Sequence, residues 1–282
     1  MNYRHIYHAG NFADVLKHLV VARIVGHLKK KDKAFRVIDT HAGTGLYDLT
    51  SPEAQKTGEW LGGIGRITGA SLPGEAAALL QPLIQVVAEM NPDGGVRHYP
   101  GSPFLVRAWL RKQDRLTVIE LHPADAKTLK ARFAGDFQVR VIELDGWLAP
   151  AAQLPPKEKR GLVLIDPPFE KEGEFDRLLK ALVTAHGRWP GGTFALWYPE
   201  KDRRAVEAFR KALQETGIPR ILDIRLAVRA PSPEPRLDGT GMIVVNPPFT
   251  LEAEMAAVLP VIGALMAEDG VARASTAWLA GE

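Results

Sequence analysis

Two short stretches of the chain put the same residue types at the end of an apolar run. One is "LVLIDPPFE", Leu162 to Glu170, and the other is "IVVNPPFT", Ile243 to Thr250. Asp or Asn, two prolines and Phe can hold a flat ring that carries an amine. An exocyclic amine on a purine is a poor nucleophile, because its lone pair is delocalised into the ring. Hydrogen bonds from it to a carboxylate and to the first proline's carbonyl favour a pyramidal nitrogen. That returns the lone pair for in-line attack on an activated methyl group. Positive charge grows on nitrogen as the bond forms, and a carboxylate beside it stabilises that charge. Tandem prolines stiffen the backbone and fix the carbonyl direction. The phenyl ring can stack on a base drawn out of its helix, a contact worth ~1–3 kcal/mol per base.

Three other strand ends carry groups suited to a nucleotide. In "VIDTHAGTG" a strand ends in Asp39, and Gly43 and Gly45 follow in a tight turn. Glycines there let the backbone approach a ligand where a Cβ would clash. The G-x-G-x-x-G fingerprint and the phosphate loop ending in GK[ST] are both absent, which argues against hydride transfer and against a kinase or ATPase. The D-x-x-x-G-x-G spacing is similar to the turn on which methyltransferases seat S-adenosylmethionine. "LTVIELHP" ends the next strand in Glu120, whose carboxylate can accept from both hydroxyls of a ribose. "VIELDGWL" ends the strand after that in Asp145 and Gly146, an acid that can accept from an adenine amine. One such acid is ordinarily just a solvated strand end. Acids ending three strands in order gather at the carboxyl edge, where open α/β sheets bind ligands. No His/Asp spacing suits a metal ion.

The elements that must position these residues follow from periodicity. "NFADVLKHLVVARIVGHLKK" repeats apolar residues at Leu16, Val20, Ile24 and Leu28, which predicts an amphipathic helix. Asn11 is its N-cap, with Asp14 as a capping-box variant. Lys17 and His18 on this helix read as a solvated face. From "RLTVIEL" onward, strands alternate with helices, through "GLVLIDP" and "GTFALWY" to "GMIVVNP" and "ARASTAWL". This predicts an α/β fold, a mostly parallel sheet with helices on both faces. The last strands are separated by loops, which predicts an antiparallel far edge. Between Ser51 and Arg97 the pattern turns helical, with no strand. We read 51–97 as a small helical subdomain inserted in a domain made of 1–50 and 98–282. It is either an overhang for a large substrate or a structural embellishment. "RAPSPEPRLDGTG", 229–241, reads as a flexible surface loop.

Counting strands separates the two Pro-Pro motifs. "LVLIDPPFE" is fourth in the series that starts at "VIDTHAG". First and fourth strands flank the switch point of a doubly wound sheet and open onto one crevice. Asp166 is therefore expected beside the methyl donor, with Phe169 stacking the substrate base. "IVVNPPFT" falls at the antiparallel edge, so Asn246 is expected at the opposite end of the sheet, its prolines a strand stop and helix entry.

The 282 residues suffice for one large domain with insertions or for two small ones, and the 46% hydrophobic and 24% charged composition is that of a globular protein. No apolar run approaches the ~20 residues of a membrane helix, and the first residues are too polar for a signal peptide. Cysteine is absent, which excludes disulfides, thiol catalysis and Cys-ligated metals. A cytoplasmic location is expected. Net charge is +3 with a pI near 9.0, a bias that permits a nucleic-acid partner and equally suits an enzyme with a small substrate.

Over essentially its full length the sequence resembles the bacterial large-subunit ribosomal RNA adenine-N6 methyltransferases of the J type. The resemblance is carried by "YRHIYHAGNFADVLKH", "DTHAGTG", "YPGSP", "IELHP", "LDG", "LIDPPF", "ALWYP" and "GMIVVNPP". It implies a Rossmann-like, S-adenosylmethionine-dependent methyltransferase fold with an inserted helical subdomain, and a monomer. It implies cofactor contacts at His18, His41, Ser102, Glu120, Asp145 and Gly146, with Asp166 as the catalytic acceptor. Through it, Lys17 also becomes a candidate to hold the methionine end of the cofactor. The implied substrate is ribosomal RNA, expected largely free of ribosomal proteins. Phe169 stands where relatives are expected to carry Tyr, which leaves a hydroxyl contact open. Methylation of guanine N2 in ribosomal RNA, or of adenine N6 in DNA, also suits a DPPF motif. Neither is expected to carry the "HAGNFADVLKH" or "YPGSP" blocks. A non-catalytic RNA-binding module is disfavoured by the Gly turn together with Glu120, Asp145 and Asp166.

Overall fold

A computed structural model describes residues 4–232, 236–268 and 270–281. The middle of the expected loop at 229–241 therefore lies outside the described residues. In chain order the strands are β1 (Arg36–Asp39), β2 (Leu46–Asp48), β3 (His98–Pro100), β4 (Arg115–Glu120), β5 (Val139–Glu143), β6 (Gly161–Ile165), β7 (Thr193–Glu200), β8 (Ile221–Ala227), β9 (Gly239–Val245) and β10 (Arg273–Ala280). The helices are α1 (Phe12–Lys29), α2 (Pro52–Thr57), α3 (Glu59–Gly62), α4 (Ile64–Thr68), α5 (Gly74–Glu89), α6 (Ser102–Trp109), α7 (Pro123–Arg132), α8 (Ala149–Gln153), α9 (Glu174–Arg188), α10 (Arg203–Glu215) and α11 (Leu251–Met266).

Eight strands form the main sheet in the order β10-β8-β9-β7-β6-β1-β4-β5. From β7 to β5 every pairing is parallel, with β6 and β4 on either side of β1. β9 runs antiparallel to both β7 and β8, and β10 antiparallel to β8. The mostly parallel sheet and its antiparallel far edge are as the sequence implies. The reason for the reversal is narrower than expected, since only β8 and β9 are joined by a loop. α11 carries the chain from β9 to β10 across β8.

Alternate residues of the central strands face two cores. Val37, Leu162 and Leu164 join one apolar cluster with α1, α5 and α11, while Ile38, Val163 and Ile165 join a second with α9 and α10. Helices thus cover both faces.

α1 departs from the amphipathic expectation. The i+4 series is one stripe of several: Val15, Leu19, Val21 and Val25 fill the others, and all are at most 1% exposed. A helix that is apolar all round belongs in a core. α1 packs on β6, β7 and β9 on one side and is covered by α5, α6 and α11 on the others. Lys17 and His18, which the sequence places on a solvated face, are 4% and 1% exposed. The Asn11 cap is present, its side chain accepting from Asp14 N at 2.9 Å. The Asp14 carboxylate turns to Gly10 N, also at 2.9 Å, one residue before the capping-box position.

The stretch 51–97 is helical in its ordered elements, α2 to α5. It is bracketed by the antiparallel pair β2–β3, which the sequence did not signal because three residues are too few for a period of two. Ile64, Ile67, Leu80 and Leu83 join the same core as α1. Gly63 meets the main body so closely that a Cβ there would lie 2.2 Å from Gly10 O. Among the described residues no helix is long and apolar enough to cross a membrane, and no group of three potential ligands could hold a metal ion.

Candidate active site

One cavity of about 370 Å³ opens at the carboxyl ends of β1, β4, β5 and β6, a size in the range of small-molecule sites. His18, His41, Ser102, Glu120, Asp145, Gly146 and Asp166 all line it. The parallel strands deliver three of the acids to one edge. The start of α6 brings Ser102, and α1 brings Lys17 and His18 from the opposite side.

The nucleotide-like end is held together by backbone donors. Gly43 N donates to Glu120 Oε2 at 2.8 Å and His122 N to Oε1 at 2.7 Å. The turn can aim Gly43 this way because its φ of +59° lies in the left-handed region open to glycine. Burial pushes the Glu120 carboxyl above its usual value, against these two hydrogen bonds. Asp145 caps a short 3-10 turn by accepting from Trp147 N at 3.1 Å. The Arg177 guanidinium lies 3.9 Å from Asp145 and 4.7 Å from the Trp147 ring centroid, a cation–π distance. Gly146 is required by close approach, since a Cβ on it would lie 2.1 Å from Thr40 O and 2.8 Å from His41 Nε2.

Both cofactor-candidate histidines are neutral. Burial, with the Arg177 charge adding to it, pushes His41 down to about 3; its Nδ1 lies 2.7 Å from Thr40 Oγ1. Burial likewise pushes His18 down to about 3, over the opposing pull of Asp14, and its Nδ1 lies 2.7 Å from Tyr99 Oη. That contact gives "YPGSP" two roles. Tyr99 fixes His18, and Ser102 donates from Oγ to Asp39 Oδ2 at 2.6 Å. Asp39 is wholly buried, and burial pushes its carboxyl up to about 6 despite the Ser102 bond.

The chemical end centres on Lys17. Its Nζ lies 2.5 Å from Asp166 Oδ2 and 2.7 Å from Asp14 Oδ1. Burial lowers the amine's pKa, but the two carboxylates outweigh it and hold the pKa well above normal. Asp14 also accepts from His5 Nε2 at 2.9 Å. The charges of His5 and Lys17 hold its carboxyl well below the usual range, against the effect of burial. Among the described residues Asp166 Oδ1 has no hydrogen-bond partner.

Phe169 is the one candidate outside the cavity lining. Its ring sits 4.9 Å from Phe175 and 5.7 Å from Trp197, edge-on to both, packed against the second core. Its φ is +51°, uncommon for a bulky residue. The second motif differs in backbone as well as in place. There Asn246 takes the left-handed conformation, and its amide donates to the carbonyls of Pro190 and Gly192, both at 2.8 Å. Those residues precede β7, so Asn246 lies at the end of the sheet opposite Asp166, as the strand count requires.

Sequence reasoning missed Asp14 and undervalued Lys17. The available signal was a pair of opposite charges, three apart, inside a helix apolar on every side. Trp147 and Arg177 were missed as well, and nothing local in the sequence links them.

The sequence model of a family described as "RsmJ: Ribosomal RNA large subunit methyltransferase D, RlmJ" matches residues 32–280. The chain is 43% identical over 283 residues to the ribosomal RNA large subunit methyltransferase J of Escherichia coli K12, and 41% identical over 284 residues to that of Haemophilus influenzae. Both alignments cover 100% of each chain. Among solved structures, protein LPL1258 of Legionella pneumophila superposes with a TM-score of 0.88 at 32% identity, covering 96% of this chain and 98% of that one.

Proposed function

The chain belongs to the RlmJ family of ribosomal RNA large subunit methyltransferases, and on that premise we propose that it methylates the exocyclic N6 amine of an adenine in large-subunit (23S) ribosomal RNA. The observation that carries this reading is Asp166, which shares one cavity with Glu120 and Asp145 and keeps one oxygen open to an incoming amine.

The donor set fits S-adenosylmethionine. Each Glu120 oxygen spends one lone pair on a backbone N–H and keeps another for a ribose hydroxyl. Asp145 can accept from the adenine amine of the cofactor, and Gly146 lets Thr40 and His41 pack close beside it. Ser102 and neutral His18 and His41 offer uncharged polar contacts for the rest. Bound there, the cofactor supplies an electrophilic methyl group on a sulfonium.

The chain's own groups then act on the substrate amine. Asp166 Oδ1 and the Pro167 carbonyl accept its two N–H bonds and turn its lone pair toward the methyl. Lys17 holds Asp166 by the other oxygen and fixes its direction. The Asp166 carboxylate, whose Oδ1 stays open, places its negative charge where the nitrogen becomes positive. Phe169 supplies a flat apolar edge for the displaced base, backed by Phe175 and Trp197.

We read 51–97 as an insertion overhanging the cavity as a surface for RNA. The enzyme works as a cytoplasmic monomer on RNA largely free of ribosomal proteins, because the target base must leave its stack to reach the cavity. Mapping methylated nucleotides by mass in ribosomal RNA from a strain lacking the protein tests the reading. One unmethylated adenine in the large-subunit RNA is expected. A missing N2-methylguanine, or an unchanged ribosomal RNA with DNA adenine methylation lost, would replace it.

A further inference from the structure

A dense cluster of positive charge lies at the end of the sheet opposite the cavity. Three segments, 29–36, 111–115 and 157–160, hold eleven lysines and arginines against three carboxylates, an excess of eight in a chain whose net charge is +3. They are distant in sequence but adjacent in space. All lie at the starting ends of the parallel strands, since β1 begins at Arg36, β4 at Arg115 and β6 at Gly161. The cavity lies at their finishing ends. The two sites are separated by the sheet itself, four to six residues of strand at ~3.3 Å each, or roughly 13–20 Å.

The arginines are organised rather than loose. Arg111 donates to the carbonyls of Lys29, Lys31 and Lys33 at 2.9–3.2 Å, and Arg160 donates to Lys33 O at 3.0 Å. These bonds draw the lysine-rich turn after α1 against the other two segments. Two of the three acids are already committed inward: Asp114, wholly buried, to Arg111, and Glu158 to Arg36. Carbonyl acceptors leave the remaining cations uncancelled. They crowd one another, and the Arg111 charge adds to partial burial in lowering the pKa of Arg160. Lys30, Lys31, Lys157 and Lys159 stay exposed.

Two aromatic rings border the patch. Phe137 is 67% exposed with the Arg115 guanidinium 5.5 Å from its centroid. Phe249 of the second Pro-Pro motif is 82% exposed, edge-on to His27, whose own pKa is lowered by burial and by Lys30 and Arg160. Exposed rings among clustered cations form a surface for phosphates and unpaired bases. An anionic membrane would also attract the cations, but insertion needs a contiguous apolar face, and these rings stand at opposite borders.

We propose that this patch is a second RNA-binding surface, which grips the phosphate backbone of the same substrate molecule at nucleotides remote from the methylated base. The inference rests on the RNA reading of the cavity. It gives the second motif a place in function, with Phe249 as a stacking ring at the border of the patch.

The test replaces Lys30, Lys31, Lys157 and Lys159 with Gln in the full chain, none of them in the cavity. Binding to a long fragment of large-subunit RNA is measured against salt without cofactor, alongside a short hairpin carrying the target adenine. Thermal melting and S-adenosylmethionine titration confirm an intact fold. The variant should bind the long fragment at least tenfold more weakly near 0.15 M salt. The slope of log affinity against log salt should fall by about 3, as each of the four lost phosphate contacts removes ~0.7–0.9. Methylation of the short hairpin should be unchanged. Equal long-fragment affinity and slope for variant and parent would overturn the proposal. So would an unchanged RNA affinity with loss of binding to phosphatidylglycerol vesicles, which would assign the patch to a membrane. If the parent methylates neither RNA yet the variant still loses RNA affinity, the patch stands and the cavity reading fails.

Discussion

Lys17 and Asp166, 149 residues apart in the chain, meet at 2.5 Å with the lysine almost wholly buried. One ammonium shared by two carboxylates ties α1 to the end of β6, so a helix of the core becomes part of the chemistry.

Removing that ammonium should be costly. Lys17→Met leaves Asp14 and Asp166 facing each other without a cation, and breaking a buried ion pair in this way costs about 3–5 kcal/mol. The Asp14 carboxyl is held below its usual range, so its stabilising share is present above pH ~4 and fades as acid protonates it. Urea unfolding across pH should therefore show a gap between variant and parent that is full at pH 7 and shrinks below pH 4. A gap independent of pH would contradict the coupling.

Asp166→Asn keeps size and removes charge. The developing positive charge on nitrogen loses its partner, and single-turnover methylation should fall ~10²–10³-fold with cofactor affinity largely kept. Asn246→Ala removes the amide that ties the carbonyls of Pro190 and Gly192, so stability should fall while turnover per folded molecule stays within a few-fold. Loss of chemistry in the second variant alone would make the second motif the active site.

Phe169→Tyr should keep most activity and Phe169→Ala should lose most of it, with the loss in kcat/KM for RNA rather than in cofactor affinity. Calorimetric titration of the cofactor separates the two. If the Tyr variant is as inactive as the Ala variant, the edge-on packing on Phe175 and Trp197 decides the position, not stacking on a base.

Asp39 has a usual value near 3.8 and is pushed up to about 6 by burial. A carboxyl with a raised pKa favours the fold fully below pH ~4, and that contribution is lost as pH rises through 6. Asp39→Asn is spared the loss. Its stability relative to the parent should climb between pH 4 and 6 and level off above, by on the order of 3 kcal/mol. Denaturant unfolding at steps of one pH unit reads this directly, and a flat difference would refute it.

Methyl transfer to protein-free large-subunit RNA should exceed transfer to assembled subunits, measured as initial rates with labelled cofactor. Equal or faster transfer to intact subunits would show that the target base is already displaced there.

The sheet was readable from its strand ends because parallel strands bring their last residues to one edge whatever lies between. Glu120, Asp145 and Asp166 follow from that alone. The count also placed Asn246 correctly, because reversal of β9 moves its final residue to the other end. What periodicity misjudged was α1. A repeat of four describes one stripe of a helix and says nothing about the stripes beside it, so Lys17 and His18 looked solvated. The position of Phe169 was equally hidden. Its ring direction depends on a left-handed backbone that two prolines do not announce.

The enclosure of α1 has a consequence for biosynthesis. The helix ends at Lys29, yet its cover includes β9 and α11, which begin at Gly239 and Leu251. At translation speeds of about 5–20 residues per second, its apolar surface stays uncovered for roughly 10–45 s. Nascent chains therefore carry an apolar helix without its cover throughout that interval. Chains that stop short of Gly239 lack β9 and α11 and leave that side of the helix uncovered.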